Sequence, residues 1–554
     1  MRKKLSIAIL VISMLLLCLS ACAPANQDGK ESKADSQQSE SQESKNEEKE
    51  TGEAKESGEA KESDEEKAAS EGSKRDTLRV ATAYDAITLD PVANNDSPSS
   101  HAMHQMYQGL IELDADSNPV PCLAESWEMP DDLTYIFHLR KGVKFHNGEE
   151  MKAEDVVFSF DRARVSPPVA HIFGGIKEGS FETPDDYTVK FQLASPNTGF
   201  MKCLAHASGF IVSKKAVEEV GEKEFSQNPC GTGPFKFVSW KKNNEMVFER
   251  FDDFWGEPAA YKTLILRVIP EATNRTIELE SGGVDIAYEI TPQDIARIEE
   301  NPDLTIYRTP EFSTQYLGLN VKKAPLDDVR VRRAVELALD MSAIDKAVWQ
   351  GVGKPATGSF ADTMQYSIAS EMKAPARDVE KAKELLAEAG YPDGIDLTLS
   401  TNEKTERVDM ANWIKSQLGE AGINVKIDVL EWAAYIELLE SGEHDMFQIG
   451  WTPDAPDADM ALWPCFHSSA MGPGGNYVFV DDEELDKLLE DGRATKDGEE
   501  RAAIYRKAQE RIEELKPWIY EHNGEVVVGA ANYVDNLELS AYAWHPVWKV
   551  RFKD

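Results

Sequence analysis

The alternation of apolar and polar residues changes period along this chain, and the change marks out its elements. From Thr77 the run TLRVATAY reads as a strand. Tyr135-Ile136-Phe137-His138-Leu139 and Tyr187-Thr188-Val189-Lys190-Phe191 alternate with period two, which predicts half-buried strands. GTGPFKFVSW from Gly231 joins a glycine turn to another strand. Further on the period lengthens: Val331, Ala334, Val335 and Ala338 share one helical face. Ser342 is expected to cap a second helix, with Asp345 three residues on and Gly351 ending it. Asp378 starts a third, with the stripe Val379, Ala382, Leu385, Leu386 and Ala389, and Gly390 closes it.

The most informative pattern follows. Ile395 to Thr401 reads as a strand, and Thr405 to Ala421 as a helix with Val408, Ala411, Ile414 and Leu418 inward. Ile423, Val425, Ile427 and Val429 alternate as a strand, Trp432 to Leu439 forms a short helix, and Asp445 to Trp451 a third strand. Strand-helix-strand-helix-strand at this spacing predicts parallel pairing through right-handed crossovers. Ligands of such sheets sit outside the carboxyl ends of the strands, here Thr401, Leu430 and Trp451. The loops TNEKTE, LEWAAY and WTPDAPDAD are therefore expected to face a site.

Ahead of this body the pattern is of another kind. Arg2, Lys3 and Lys4 precede an apolar run from Leu5 to Leu19 that is short for a membrane span, which takes about 20 residues. The run ends in Leu19-Ser20-Ala21-Cys22, which resembles a bacterial lipobox, so residues 1–21 read as a lipoprotein signal peptide and Cys22 as the lipidation site. Residues 22–76 read as a disordered acidic tether: beyond Cys22 they hold no aromatic residue and no Val, Ile, Leu or Met. As a flexible chain it spans roughly 40 Å.

Charge narrows the partners. The 554 residues carry a formal net charge of −39, which argues against nucleic acid or an anionic lipid surface as the target. Four cysteines remain in the body, Cys122, Cys203, Cys230 and Cys465, which allow three complete pairings. A Cys203–Cys230 disulfide would close a modest loop and is slightly preferred, with free buried thiols equally open. No cysteine or histidine spacing has the form of a zinc site, and no cofactor is implied.

The motifs of the body carry a resemblance. Leu123-Ala124-Glu125-Ser126-Trp127-Glu128, then LTYIFHLRKGVKFHNGEEMKAEDVVFSFDR from Leu133 to Arg162, resembles the signature of family 5 extracellular solute-binding proteins. These are the dipeptide, oligopeptide and nickel-complex receptors of ABC importers. NPCGTGPFKFVSW, LESGGVDIAYEI, YLGLN with PLDDVRVRRAVELALD, and GWTPDAPDAD continue the likeness to the end of the chain. The resemblance implies an α/β, two-lobed class II periplasmic-binding-protein-like fold with mixed sheets and an inserted subdomain. Lobe I would comprise residues 77–112, 230–314 and 522–554, with 113–229 inserted, and lobe II residues 315–521. Ligand would be enclosed when the lobes close about their two connections.

The same resemblance implies site residues. Dipeptide receptors carry Gly-Trp-Thr-x-Asp after the third strand, and the aspartate grips the peptide ammonium; here these are Gly450, Trp451, Thr452, Pro453 and Asp454. A carboxylate in a closed cleft bonds an ammonium more strongly than a neutral group. Asp457 and Asp459 read instead as caps of a turn or of the next helix. Trp432 and Trp451 match aromatic walls. Where dipeptide receptors have an arginine for the ligand carboxylate, this chain has Thr401, and Lys404 or Arg407 could take that role. The implied partners are a peptide, an ABC permease and the membrane through Cys22, with the protein a monomer on the outer face of the cytoplasmic membrane.

Other classes were weighed. No G-x-S-x-G, H-E-x-x-H, Walker A or EF-hand pattern occurs, so the chain reads as a receptor and not an enzyme. A nickel or metal-chelate receptor is the nearest rival: His101 and His104 lie one helical turn apart, but lack a second pair of ligands. His146 reads as structural. A sensor lipoprotein without transport is the third.

Overall fold

The computed structural model describes residues 75–553, so Cys22, the leader and the tether up to residue 74 lie outside the described residues. Eleven strands form the main sheet. Its middle is a pair of long antiparallel strands, Leu304–Leu319 and Trp518–Ala531, in register from Leu304 opposite Ala531 to Gly318 opposite Trp518. On one side the sheet continues through Ile286–Ala287, Thr77–Thr82, Thr263–Val268, Glu245–Arg250 and Phe235–Lys241. On the other, Met446–Trp451 pairs antiparallel with Leu304–Leu319. Ile395–Asn402 then runs parallel to both Met446–Trp451 and Ile423–Leu430, as the crossover pattern predicts.

Period-two alternation distributes this sheet among three cores. Leu317 and Leu319 point into a core with Leu399, Ile414 and Met446, under the helices Met341–Trp349 and Thr405–Glu420. Tyr316, the residue before Leu317, points the other way, against Phe447, Tyr435 and Trp518. The far ends of the long strands enter a larger core, through Leu304 and Val526 to Val528, built on Leu78, Val80, Phe160 and Phe191. We call the part resting on this larger core the first body and the rest the second. The long strands cross from one to the other. Their pairing slips between Pro310 and Thr314 and again between Gln315 and Tyr316, where Glu521 is the extra residue. A four-stranded antiparallel sheet, Ala124–Glu128, Thr134–Leu139, Thr188–Gln192 and Glu182–Asp185, completes the first body.

Local expectations hold with adjustments. Asp378 caps Val379–Glu388 by accepting from the Lys381 amide at 2.9 Å. The helix expected to be capped by Ser342 instead starts at Met341. Its cap is Asp340, whose carboxylate accepts from the Ala343 amide at 3.0 Å. Asp345, read as the reciprocal member of that cap, is buried and bonded to His522 Nδ1 at 2.6 Å. The strand from Thr77 stops at Thr82, and Tyr84 is exposed. The Cys203–Cys230 disulfide does not form: all four body cysteines are buried free thiols. Burial pushes the Cys230 thiol up to about 11.

Candidate functional site

Three strands of the second body end at nearly one level, and the polar residues gather there. On the face that carries Leu399, Met446 and Leu317, the apolar layer gives way to Thr401, Gln448 and Gln315. Gln448 and Thr401 are fully buried. Arg407, in the first turn of Thr405–Glu420, donates to Asn402 Oδ1 at 3.1 Å and to Gln315 Oε1 at 3.2 Å. Its Nε, the Thr401 hydroxyl and Gln448 Oε1 have no protein partner, although all three are buried. Gln448 Nε2 reaches Glu521 at 2.8 Å. Burial raises the Glu521 carboxyl to about 7, against the opposing pull of that bond and of Arg407.

The loop after Met446–Trp451 goes the other way, toward the first body. Trp451 is half-buried and donates its indole N–H to the Met460 carbonyl at 3.1 Å, and Thr452 is exposed. Ala455 and Met460 pack into the core of the first body. Asp454 is thereby brought against three side chains of that body. Asn95 Nδ2 donates to its Oδ1 at 2.9 Å, and His171 Nε2 to its Oδ2 at 2.9 Å. His206 Nε2 stands 3.9 Å from Oδ1. The Asp454 side chain is 11% exposed, against 45% for His171. Burial alone would raise the Asp454 carboxyl, but the His171 hydrogen bond and the two imidazoles outweigh it, and the group sits below its ordinary value. Burial likewise works against protonated His171, but Asp454 prevails and its value is raised. His206 is lowered, chiefly by burial. The buried Tyr542 hydroxyl, which lacks a partner, belongs to the same neighbourhood, since Asp454 and Cys203 act on its ionisation after burial.

Asp457 and Asp459 behave as caps and anchors. Asp457 caps Ala458–Phe466 through the Asp459 amide and holds Arg501 through bonds of 2.7 and 2.9 Å. Both side chains are essentially inaccessible. Asp459 holds Arg493 at 2.9 and 3.0 Å. Lys202 of the first body donates to the Pro456 carbonyl and to Gln365, each at 3.1 Å, which pins the loop between the bodies.

The remaining expected residues lie apart. Trp432 opens the helix Trp432–Ser441, is 48% exposed, and has its ring 6.0 Å from Tyr435. Lys404 lies over Trp349. His104 stacks on Trp544 at 3.8 Å and His101 meets Tyr288 edge-on, so both are packed within the first body, where burial holds them down to about 3 and about 4. His146 bonds the Gly233 carbonyl at 3.1 Å, a structural role. Among the described residues no three His, Cys, Asp or Glu side chains are arranged to hold a metal ion. Two open surface depressions, about 390 Å³ beside Arg79 and Arg267 and about 560 Å³ beside Asn320 and Lys323, contain none of the expected residues. Both are open to solvent and neither lies between the bodies, so the contact set around Asp454 carries more weight.

Asn95, His171 and His206 were not singled out from sequence. They come from three separated segments of the first body, with no spacing that groups them.

Comparison with known proteins points the same way as the fold. The family described as bacterial extracellular solute-binding proteins, family 5 Middle, matches residues 118–473. The dipeptide-binding protein of Escherichia coli (strain K12) is 34% identical over 443 residues, which is 74% of this chain and 82% of that protein. Heme-binding protein A of Haemophilus influenzae is 31% identical over 485 residues, 81% of this chain and 87% of that one. Among solved structures, the ABC transporter-associated periplasmic binding protein DppA from Helicobacter pylori, in complex with the peptide STSA, superposes with a TM-score of 0.77. It is 30% identical and covers 87% of this chain and 99% of its own. The fold is that of the periplasmic binding proteins.

Proposed function

Since the chain belongs to the family 5 extracellular solute-binding proteins of bacteria, we propose that it captures a short peptide between its two bodies and delivers it to an ABC permease. In this reading the lobes are residues 77–112, 230–314 and 522–554, with 113–229 inserted, and 315–521. They hinge on Leu304–Leu319 and Trp518–Ala531, where the pairing of the two strands slips. Asp454 receives the ligand's ammonium, with Trp451, Thr452 and Trp432 as walls. Arg407 receives the far carboxylate beside Thr401. Cys22 carries the lipid that holds the protein, as a monomer, on the outer face of the cytoplasmic membrane, and residues 22–76 form the tether. The protein performs no catalysis of its own.

One observation carries the reading. Asp454 is a largely covered carboxylate on a loop of the second body, and its partners in the first body are an amide and imidazoles, not a fixed cation. Such a group can accept an ammonium without dismantling an internal ion pair. Arg407 complements it: among the described residues no carboxylate approaches its guanidinium within ion-pair distance, while its Nε is buried and unpartnered. The relatives that bind a dipeptide and the peptide STSA support the ligand class.

The test is Asp454→Asn. Native mass spectrometry of protein purified without denaturation identifies the captured peptide, and calorimetry measures its affinity. The substitution is expected to weaken binding by about 2–5 kcal/mol, because the ligand charge stays buried and unpaired. An unchanged affinity overturns the assignment, and turnover of the bound peptide would overturn the receptor reading.

A further inference from the structure

The donors around Asp454 differ in one respect that bears on ligand choice. Asn95 is neutral at every pH, whereas His171 Nε2 donates to Asp454 Oδ2 whether its ring is neutral or charged. A carboxylate offers about four acceptor positions, so a ligand ammonium can join Asn95 and neutral His171 on the same group. It cannot do so beside a charged imidazolium without direct repulsion between two cations that share one anion. We propose that His171 is a specificity-determining residue of the site: capture of a cationic ligand end at Asp454 and protonation of His171 exclude one another. This rests on the reading of Asp454 given above.

The surroundings leave His171 as the group that titrates. It sits on the short helix Ala170–Phe173, 45% exposed, so protons reach it from solvent. His206, the other imidazole facing Asp454, is 17% exposed and is held below its ordinary value. Its Nδ1 is committed to Ser208 at 2.7 Å. Burial keeps Cys203 and Tyr542 in their neutral forms. Asp457 and Asp459, three and five residues on, are paired with Arg501 and Arg493, and Lys202 stands 3.8 Å from Asp457. Against the opposing effect of burial, the Asp454 bond and charge raise His171 from its ordinary value, so it is protonated below the raised value and neutral above it. Affinity for an amine-bearing ligand therefore rises with pH through that value. It falls again only when the ligand's own α-amine deprotonates, near pH 8.

The probe is the tetrapeptide Ser-Thr-Ser-Ala, titrated calorimetrically at pH 5.5 and 7.5 into wild type and His171→Gln. Glutamine keeps an N–H donor for Asp454 and removes the titration. Wild type is expected to bind at least about tenfold more weakly at pH 5.5, the factor complete exclusion gives for a value at or above 6.5. His171→Gln is expected to change less than about twofold. A wild type indifferent to pH, or a variant with the same fall, overturns the proposal. Imidazole NMR of His171 decides it independently of any ligand. The resonance must titrate above pH 6.5 in wild type and move to lower pH in Asp454→Asn, and a titration that ignores Asp454→Asn overturns the proposal. Absence of peptide binding at both pH values, with the NMR shift present, counts against the peptide reading alone.

Discussion

Asp454 and Asp457 stand three residues apart on one loop, and both are nearly closed off from solvent, yet they are built differently. Asp457 is held on both oxygens by the one guanidinium of Arg501, caps a helix of its own body, and has Lys202 of the first body 3.8 Å away. Asp454 reaches across to the other body and finds only an amide and imidazoles. The difference separates a carboxylate tied into internal ion pairs from one whose partners carry no fixed charge. What distinguishes them is the charge of their partners: fixed cations at Asp457, an amide and imidazoles at Asp454. The polar end of the second body repeats the contrast. There Arg407, Thr401 and Gln448 keep buried atoms without partners, while one layer below Leu399 and Met446 are ordinary core.

The comparison breaks most visibly at Asp457. Asp457→Asn leaves the Arg501 guanidinium buried beside only the half-exposed Asp497, and is expected to cost about 3–5 kcal/mol in denaturant unfolding. Asp454→Asn is expected to cost far less stability and to weaken ligand binding instead. Equal stability losses would erase the distinction. Asp457 also sets an acid limit. Its carboxyl is held below the usual range because the Arg501 bonds and charge outweigh burial. The stability it contributes is therefore present above the unfolded value, near 4, and is lost as pH falls through the folded one.

Glu521 tests the other region with the opposite sign. Its folded value is raised to about 7 by burial, against an ordinary value of 4.5. Protonation favours the fold, so stability is greatest below about pH 4.5 and declines as pH rises to about 7. The expected decline is about 3 kcal/mol from this group alone. Glu521→Gln is expected to remove that decline in unfolding curves recorded at pH 5 and pH 8. A variant with the same pH dependence as wild type would show that Glu521 is ionised at no cost. The smallest effect belongs to Thr401→Val. It removes a buried hydroxyl without a partner at nearly constant shape, and is expected to stabilise the second body by about 1 kcal/mol. A loss of stability would mean that the hydroxyl is bonded in solution and that this corner is structural after all.

Much of the second body was legible from the chain. Ile395–Asn402, Thr405–Glu420, Ile423–Leu430, Trp432–Ser441 and Met446–Trp451 follow the predicted spans closely, because periods of two and of 3.6 are local consequences of which face is buried. Caps were less secure. Asp340 displaced Ser342 because a carboxylate one residue before the helix reaches the Ala343 amide, while Asp345 was drawn away to His522. The sheet was legible only in part. The parallel pairs follow from their crossovers, but the antiparallel union of Met446–Trp451 with Leu304–Leu319 joins strands over a hundred residues apart.

What the sequence determined by itself was therefore whatever a short window encodes: strand and helix spans and the motif that presents Asp454 after a strand. Tertiary structure alone decided what each of the loop's aspartates would meet, imidazoles and an amide at Asp454 and fixed cations at Asp457. Asp454 and His171 are 283 residues apart, and no periodicity or spacing extends that far. They meet because the two bodies are joined by a pair of long strands, and packing between the bodies selects the donors that this carboxylate receives.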